Sequence, residues 1–272
     1  MGKRTSREVE TLVCNLYQTD DMSVANIAEE SGISSVTVWR ILKRRGISRD
    51  RKHGPRNLLR CNDQYFNKLT KESAYWLGFI TADGCVSQGG SGSWHLSIRL
   101  SGKDKEHLAN FKRDIESGHK LREGVTKNGH PYCAISISRK ELVDDLKGWG
   151  VIPNKTKHLQ APDLPENLYH HYLRGFFEGD GSFYLRKKAV TPQLVFALRS
   201  STESYLLHVK DKIQQNVGVS LGKVCSDSVA NAYSLQCEGN VKTRRIFNWL
   251  YAEATRYLPR KYKLASDHLN SL

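Results

Sequence analysis

A nine-residue pattern occurs twice in the chain, as Trp76-Leu-Gly-Phe-Ile-Thr-Ala-Asp83-Gly84 and as Leu173-Arg-Gly-Phe-Phe-Glu-Gly-Asp180-Gly181. Both copies have Gly third, Phe fourth, Asp eighth and Gly ninth. Each is apolar enough for a buried helix, with small residues at spacing four: Gly78 with Ala82, and Gly175 with Gly179. Positions four apart share one helix face, so each helix carries a groove along which another helix can lie. Glycine inside a helix costs about 1 kcal/mol against alanine, so Gly78 and Gly175 answer a packing need. Gly84 and Gly181 read as C-terminal stop signals. Asp83 and Asp180 then stand at helix C-termini, facing the negative end of the macrodipole. If the helices pair in parallel, the carboxylates also face each other. A divalent cation would relieve that conflict, and an oxygen-rich site suits Mg²⁺. One Asp-Gly alone is a common turn signal, but two copies with matched flanks are not coincidence.

The 272 residues carry a net charge of +14. That excess favours a polyanionic partner, nucleic acid first among them. Six cysteines, at 14, 61, 85, 133, 225 and 237, form no C-x-x-C pair, which argues against zinc and against a disulfide framework. Reduced thiols fit a cytoplasmic setting, in a bacterial or phage-infected cell or an organelle. No signal-peptide core and no membrane-spanning run is expected.

The first segment reads as helical from Ser6 to Asp20. Ser23 can cap a second helix carrying Ile27 and Ala28, Gly32 breaks it, and Ser34 can cap a third with Val38, Ile41 and Leu42 on its inner face. A small residue, a turn glycine four later, and apolar positions six and nine beyond that glycine resemble the helix-turn-helix of resolvases and transposases. The third helix would be the recognition helix, with Ser35, Thr37, Arg40 and Arg44 toward DNA. A helical hairpin that binds protein is the competing interpretation. Nine basic residues lie between Arg40 and Arg60, Arg51 and Lys52 among them, opposed only by Asp50. This predicts a basic linker that tracks phosphates. The expected boundaries are 1–47 for the all-α helix-turn-helix domain and 48–68 for the linker.

Beyond residue 69 the chain reads as two similar halves, 69–165 and 166–272. After each Asp-Gly an alternating strand follows, Trp94–Leu100 and Gln193–Arg199, with Leu96 and Ile98, or Phe196 and Leu198, on the core side. A helix comes next in each half, Asp104–Ser117 and Thr202–Val217, each ending at a glycine, Gly118 or Gly218. Further strands contain Cys133–Ser138 and Tyr233–Cys237, and another helix follows. The fold class is α+β: two pseudo-symmetric αββαββα half-domains with antiparallel sheets, each sheet covered on one face by helices. The free faces would carry Ser97, Arg99, Ser136 and Ser138 in one half, and Gln193, Arg199, Ser234 and Gln236 in the other. Arg and Gln at such positions can read guanine and adenine edges, so these are candidate DNA-binding sheets.

Trp76–Gly84, Leu173–Gly181, the Gly150-Val-Ile-Pro-Asn-Lys-Thr tract and the Tyr257-Leu-Pro-Arg-Lys-Tyr-Lys tract together resemble the LAGLIDADG homing endonucleases in their single-chain, two-motif form. The resemblance covers Leu69 to Leu272. It implies that the motif helices form the interface between halves. It implies that Asp83 and Asp180, with Gly84 and Gly181, bind Mg²⁺ or Mn²⁺ at the scissile phosphates. It further implies that a monomer cuts both strands of a long duplex to leave 3′ overhangs. Lys155 and Lys261, at matching places in the two halves, would stabilise the pentavalent phosphate or order the water around it. Two departures stand out: the sixth motif position is Thr81 in one copy and Glu178 in the other, and Trp76 replaces the usual first Leu. That sixth position is usually structural in the family.

Two other readings compete. A regulator or RNA maturase would keep the fold and lose the motif acids; both acids are present. An intein would open with Cys or Ser and close on His-Asn, whereas this sequence opens with Met1 and ends Asn270-Ser-Leu272. The His170-His171 pair matches no histidine-based nuclease or metalloprotease spacing.

Overall fold

The computed structural model describes residues 6–18, 22–47, 59–90, 92–155, 158–188, 190–228 and 231–272. Arg51 and Lys52, with most of the predicted linker, lie outside the described residues. The chain divides into two units, Met1–Arg60 and Cys61–Leu272.

Serine hydroxyls start all three helices of the first unit, Ser6 accepting from the Val9 amide at the first. The helices are α1 (Arg7–Gln18), α2 (Val24–Ser31) and α3 (Ser35–Arg44). Ser23 accepts from the Asn26 amide and Ser34 from the Thr37 amide, satisfying donors that the first turn leaves open. Gly32 ends α2 in the left-handed region, at φ 65°, where a side chain would be strained. Val13, Tyr17, Ile27, Val38, Ile41 and Leu42 form the core of this unit, with Ala28 packed at its margin.

The second unit runs α4 (Lys71–Asp83), β1 (Gly84–Gln88), β2 (Trp94–Ser101), α5 (Lys105–Asp114), β3 (Arg122–Val125), β4 (Pro131–Ile137) and α6 (Lys140–Gly148). It then repeats as α7 (Glu166–Asp180), β5 (Gly181–Arg186), β6 (Gln193–Ser200), α8 (Glu203–Val217), β7 (Cys225–Asp227), β8 (Ala232–Glu238) and α9 (Asn240–Leu250), and adds α10 (Pro259–Asn270). The two halves are therefore αββαββα, with sheets ordered β1-β2-β4-β3 and β5-β6-β8-β7. All ladders are antiparallel. Leu96 pairs with Ile137 and Ile98 with Ile135, while Phe196 pairs with Cys237 and Leu198 with Leu235. These seven aliphatic or aromatic side chains and Cys237 bury one face of each sheet, as the alternation predicts.

Three local expectations change. The packed unit begins at Cys61, because Phe66 is fully buried and its carbonyl accepts from Trp149 Nε1 at 2.7 Å. Residues 61–68 thus belong to the fold and not to a linker. Helix α5 stops at Asp114, and Glu116, at φ 50°, makes the turn assigned to Gly118; Gly218 does end α8, at φ 65°. Gly84 and Gly181 are extended, at φ −82° and −116°, and lead directly into β1 and β5. Their need for glycine is steric: a Cβ would lie 2.7 Å from the Ile80 carbonyl oxygen or 2.8 Å from that of Phe177.

The two motif helices touch backbone to backbone. A Cβ on Gly78 would lie 1.9 Å from the Tyr172 carbonyl oxygen, and one on Gly175 would lie 1.9 Å from that of Tyr75. A Cβ on Gly179 would lie 2.3 Å from the Ala82 side chain. The contacts advance in step along both helices, so α4 and α7 are parallel. Neither backbone can yield without prising the halves apart. Gly175→Ala is expected to cost about 3 kcal/mol or more, read by urea or thermal unfolding. Gly148→Ala, at an open position in α6, is expected to be neutral or to stabilise by about 0.5 kcal/mol.

Candidate functional site

Because α4 and α7 run in parallel, they finish side by side at Asp83 and Asp180. Both residues are exposed at the surface, yet the surrounding protein displaces part of the water around their carboxyls. That crowding raises the Asp83 carboxyl above its ordinary range, against the pull of Lys261 and Lys155. It raises Asp180 to about 6, with repulsion from Asp83 as the second cause. Exposure leaves water access to screen part of this repulsion.

Each carboxylate has a lysine close by. Lys155 Nζ donates to the Gly84 carbonyl. Lys261 Nζ donates to the Gly181 carbonyl at 2.5 Å and the Glu178 carbonyl at 2.6 Å. Burial lowers both amines from their usual value. The supports differ: Lys155 follows Asn154, at φ 56° in the loop after α6, whereas Lys261 sits in the first turn of α10 behind Pro259. Unlike local structures reach matching glycine carbonyls.

The donor set here is all oxygen: two carboxylates lie open, while the carbonyls of Gly84 and Gly181, which the resemblance also implied as ligands, are each taken by a lysine ammonium. Such a set fits a hard divalent cation. Among the described residues no group of three or more His, Cys, Asp or Glu gathers. A cation here would complete its shell with water and substrate phosphate, as Mg²⁺ commonly does with one or two carboxylates.

Glu178 faces away from the carboxylate pair. It is 1% exposed and accepts from Tyr75 Oη at 2.6 Å, Tyr251 Oη at 2.8 Å and the Leu258 amide at 2.7 Å. Thr81, its counterpart, donates to the Leu77 carbonyl at 2.7 Å. The sixth motif position is structural in both copies. Trp76 is likewise structural: its Nε1 donates to Asp114 at 2.7 Å.

On the free sheet faces, Arg99, Ser136, Arg199 and Gln236 are exposed and Ser97 is half-buried. The Arg99 guanidinium lies 4.6 Å from the centre of the Tyr132 ring. Gln193 is engaged elsewhere, donating to the Thr191 carbonyl and accepting from the Asn240 amide; it pins the start of α9. Tyr132, Tyr184 and Arg186 also occupy these faces and were not expected there. Ser182, Tyr184 and Arg186 alternate around buried Phe183, a pattern already legible in the residues.

On α3, Ser35 and Arg40 are exposed as expected. Thr37 instead shares a hydrogen bond of 2.9 Å with Ser34, and Arg44 joins Arg45 in binding Glu10 of α1. Val36, Trp39 and Lys43 take the open face.

Asp180 gives a pH test. Its folded pKa lies above its ordinary 3.8, so the fold prefers the neutral acid, and ionisation costs stability as pH rises from about 4 to about 6. Asp180→Asn is therefore expected to raise Tm relative to the parent in chelator at pH 7, with the gain shrinking toward pH 4. A constant difference across that window would refute the shift.

No family model matches the chain. An uncharacterised protein of Methanocaldococcus jannaschii is 26% identical over 208 residues, covering 75% of this chain and 71% of that protein. Among solved structures, the LAGLIDADG homing endonuclease I-GzeII in complex with its DNA target aligns with a TM-score of 0.52 at 13% identity, over 75% of this chain and 89% of that one. I-SmaMI, bound to uncleaved DNA target in the presence of calcium ions, aligns with a TM-score of 0.50 at 16% identity, over 75% and 90%. At these identities the likeness speaks for architecture: this chain has the two-half fold of the LAGLIDADG homing endonucleases.

Proposed function

We propose that the chain is a site-specific, divalent-metal-dependent endonuclease that cuts both strands of a long DNA duplex and leaves 3′ overhangs. The observation that carries this reading is the end of the paired motif helices. There, Asp83 and Asp180 stand together between two pseudo-symmetric sheets, each with a lysine on the following glycine carbonyl. A like-charged pair at two negative helix ends is unfavourable for folding alone, and it matches what phosphodiester hydrolysis requires.

Asp83 and Asp180 would hold Mg²⁺ or Mn²⁺, since the carbonyls of Gly84 and Gly181 are already taken by Lys155 and Lys261. When bound, the metal supplies an activated water and neutralises charge on the entering and leaving oxygens. Lys155 and Lys261 place cationic charge where negative charge builds on the phosphate. Ser97, Arg99, Ser136, Arg199 and Gln236 face the duplex from the two sheets. One chain supplies both halves, so a monomer suffices. The helix-turn-helix unit adds a second contact through Ser35 and Arg40, with Arg51 and Lys52 on phosphates. Tethering makes that second contact intramolecular and raises affinity without new chemistry.

The test is incubation of the full chain with a randomised duplex library and Mg²⁺, followed by mapping of cut ends. Paired cuts staggered to leave 3′ ends are expected. Asp83→Asn and Asp180→Asn are each expected to lower double-strand cleavage by at least about 100-fold, an effect worth about 2.7 kcal/mol or more, with duplex binding retained. Binding without cleavage by the parent protein would overturn the nuclease reading in favour of a regulator or maturase.

A further inference from the structure

The outer face of α3 is more apolar than phosphate attraction requires. Val36 is 60% exposed and Trp39 57%. With Arg40, Lys43 and Ile47 they line a shallow dish of about 410 Å³. The opposite face of the helix is spent on the core through Val38, Ile41 and Leu42. Arg44 and Arg45 are spent on Glu10, a contact that ties α3 to α1. What α3 offers outward is an apolar centre with two cations on its rim.

Three features indicate the occupant. Helix α3 carries no acidic residue, so the rim of the dish complements a polyanion. It follows α2 through a left-handed glycine turn, the arrangement that presents a second helix to a major groove. And the apolar centre needs an apolar counterpart within that groove. The only such group on base edges there is the thymine C5 methyl. We propose that Val36 and Trp39 read thymine methyl groups, while Arg40 and Lys43 engage phosphates or base acceptors beside them. This rests on the DNA-binding reading above and extends it by naming the base feature that α3 recognises.

The experiment uses the full chain and duplexes that it selects from a randomised library. Each selected duplex is resynthesised with uracil for thymine at one position at a time, which removes only the methyl. A cluster of positions is expected at which each replacement weakens binding about fourfold, the worth of one buried methyl-sized group. Val36→Ala and Trp39→Ala are expected to bind thymine and uracil duplexes alike at that cluster, with the salt dependence of binding unchanged, because phosphate contacts remain. Both side chains are largely exposed, so the core of the unit survives either change, and thermal melting checks this.

Parent binding that is indifferent to uracil would overturn the proposal, as would variants that keep the full sensitivity. A shift from oligomer to monomer on Trp39→Ala would also overturn it, by assigning the dish to a second copy of the chain. Failure to select any duplex would instead overturn the underlying DNA reading, and the proposal with it.

Discussion

Everything in the larger unit depends on how closely two helix backbones approach. At Gly78 and Gly175 no side chain separates α4 from α7. That approach fixes the spacing of Asp83 and Asp180 and the placement of the two sheets beside them. A backbone contact is less adaptable than a side-chain contact, since no rotamer change relieves it. Further ties brace the seam, and they all run one way. Lys71 binds Glu253, Asp114 takes both arms of Arg256 at 2.7 Å, and Asp104 takes Arg260 at 3.0 and 3.1 Å. The first half supplies α4 and the α5 segment, and the second supplies the stretch from 253 to 260. A pseudo-symmetric interface is thus locked by an asymmetric clamp.

The site at the end of this seam is held against its own electrostatics. Desolvation by the surrounding protein pushes both carboxyls toward protonation, repulsion from Asp83 adds to this at Asp180, and burial pushes the amines toward neutrality. Backbone carbonyls accept from the amines, but the charges are badly placed for stability. Under the proposed nuclease function, such a site trades stability for chemistry. The rigid seam behind it is what allows the trade: paired helices whose backbones cannot shift can hold like charges that a softer interface would let spread.

Much of this was legible in the residues. The doubled motif, the spacing-four small residues and the strand alternation around Leu96, Ile98, Phe196 and Leu198 each follow from periodicity, and periodicity is local. What escaped sequence reasoning is non-local. Arg44 looks like a free cation until Glu10, on another helix, is seen to hold it. Gln193 has the right parity for a free sheet face, but Asn240 captures its side chain. Gly84 and Gly181 read from sequence as helix stop signals. They are glycine because the preceding helical turn occupies the space a Cβ would need. In each case the deciding atom belongs to a residue or a turn whose position no sequence pattern specifies.

The difference between Thr81 and Glu178 shows how duplication diverges without losing the site. Glu178 gathers Tyr75 from the first half, Tyr251 from α9 and the Leu258 amide just before α10. It therefore fixes the start of the helix that carries Lys261, and that lysine meets the carbonyls of Glu178, Gly179 and Gly181. Thr81 gathers no such set: its hydroxyl donates to Leu77 within its own helix and meets Tyr172 across the seam. Lys155 hangs from a loop with one left-handed asparagine and meets the Gly84 carbonyl. The two lysines stand at matching places with unequal support. A buried carboxylate anchors one through a helix terminus, and a short loop anchors the other. The matched placement of the two aspartates rests on the shared helix seam, which both copies keep, while the supporting contacts have been free to differ.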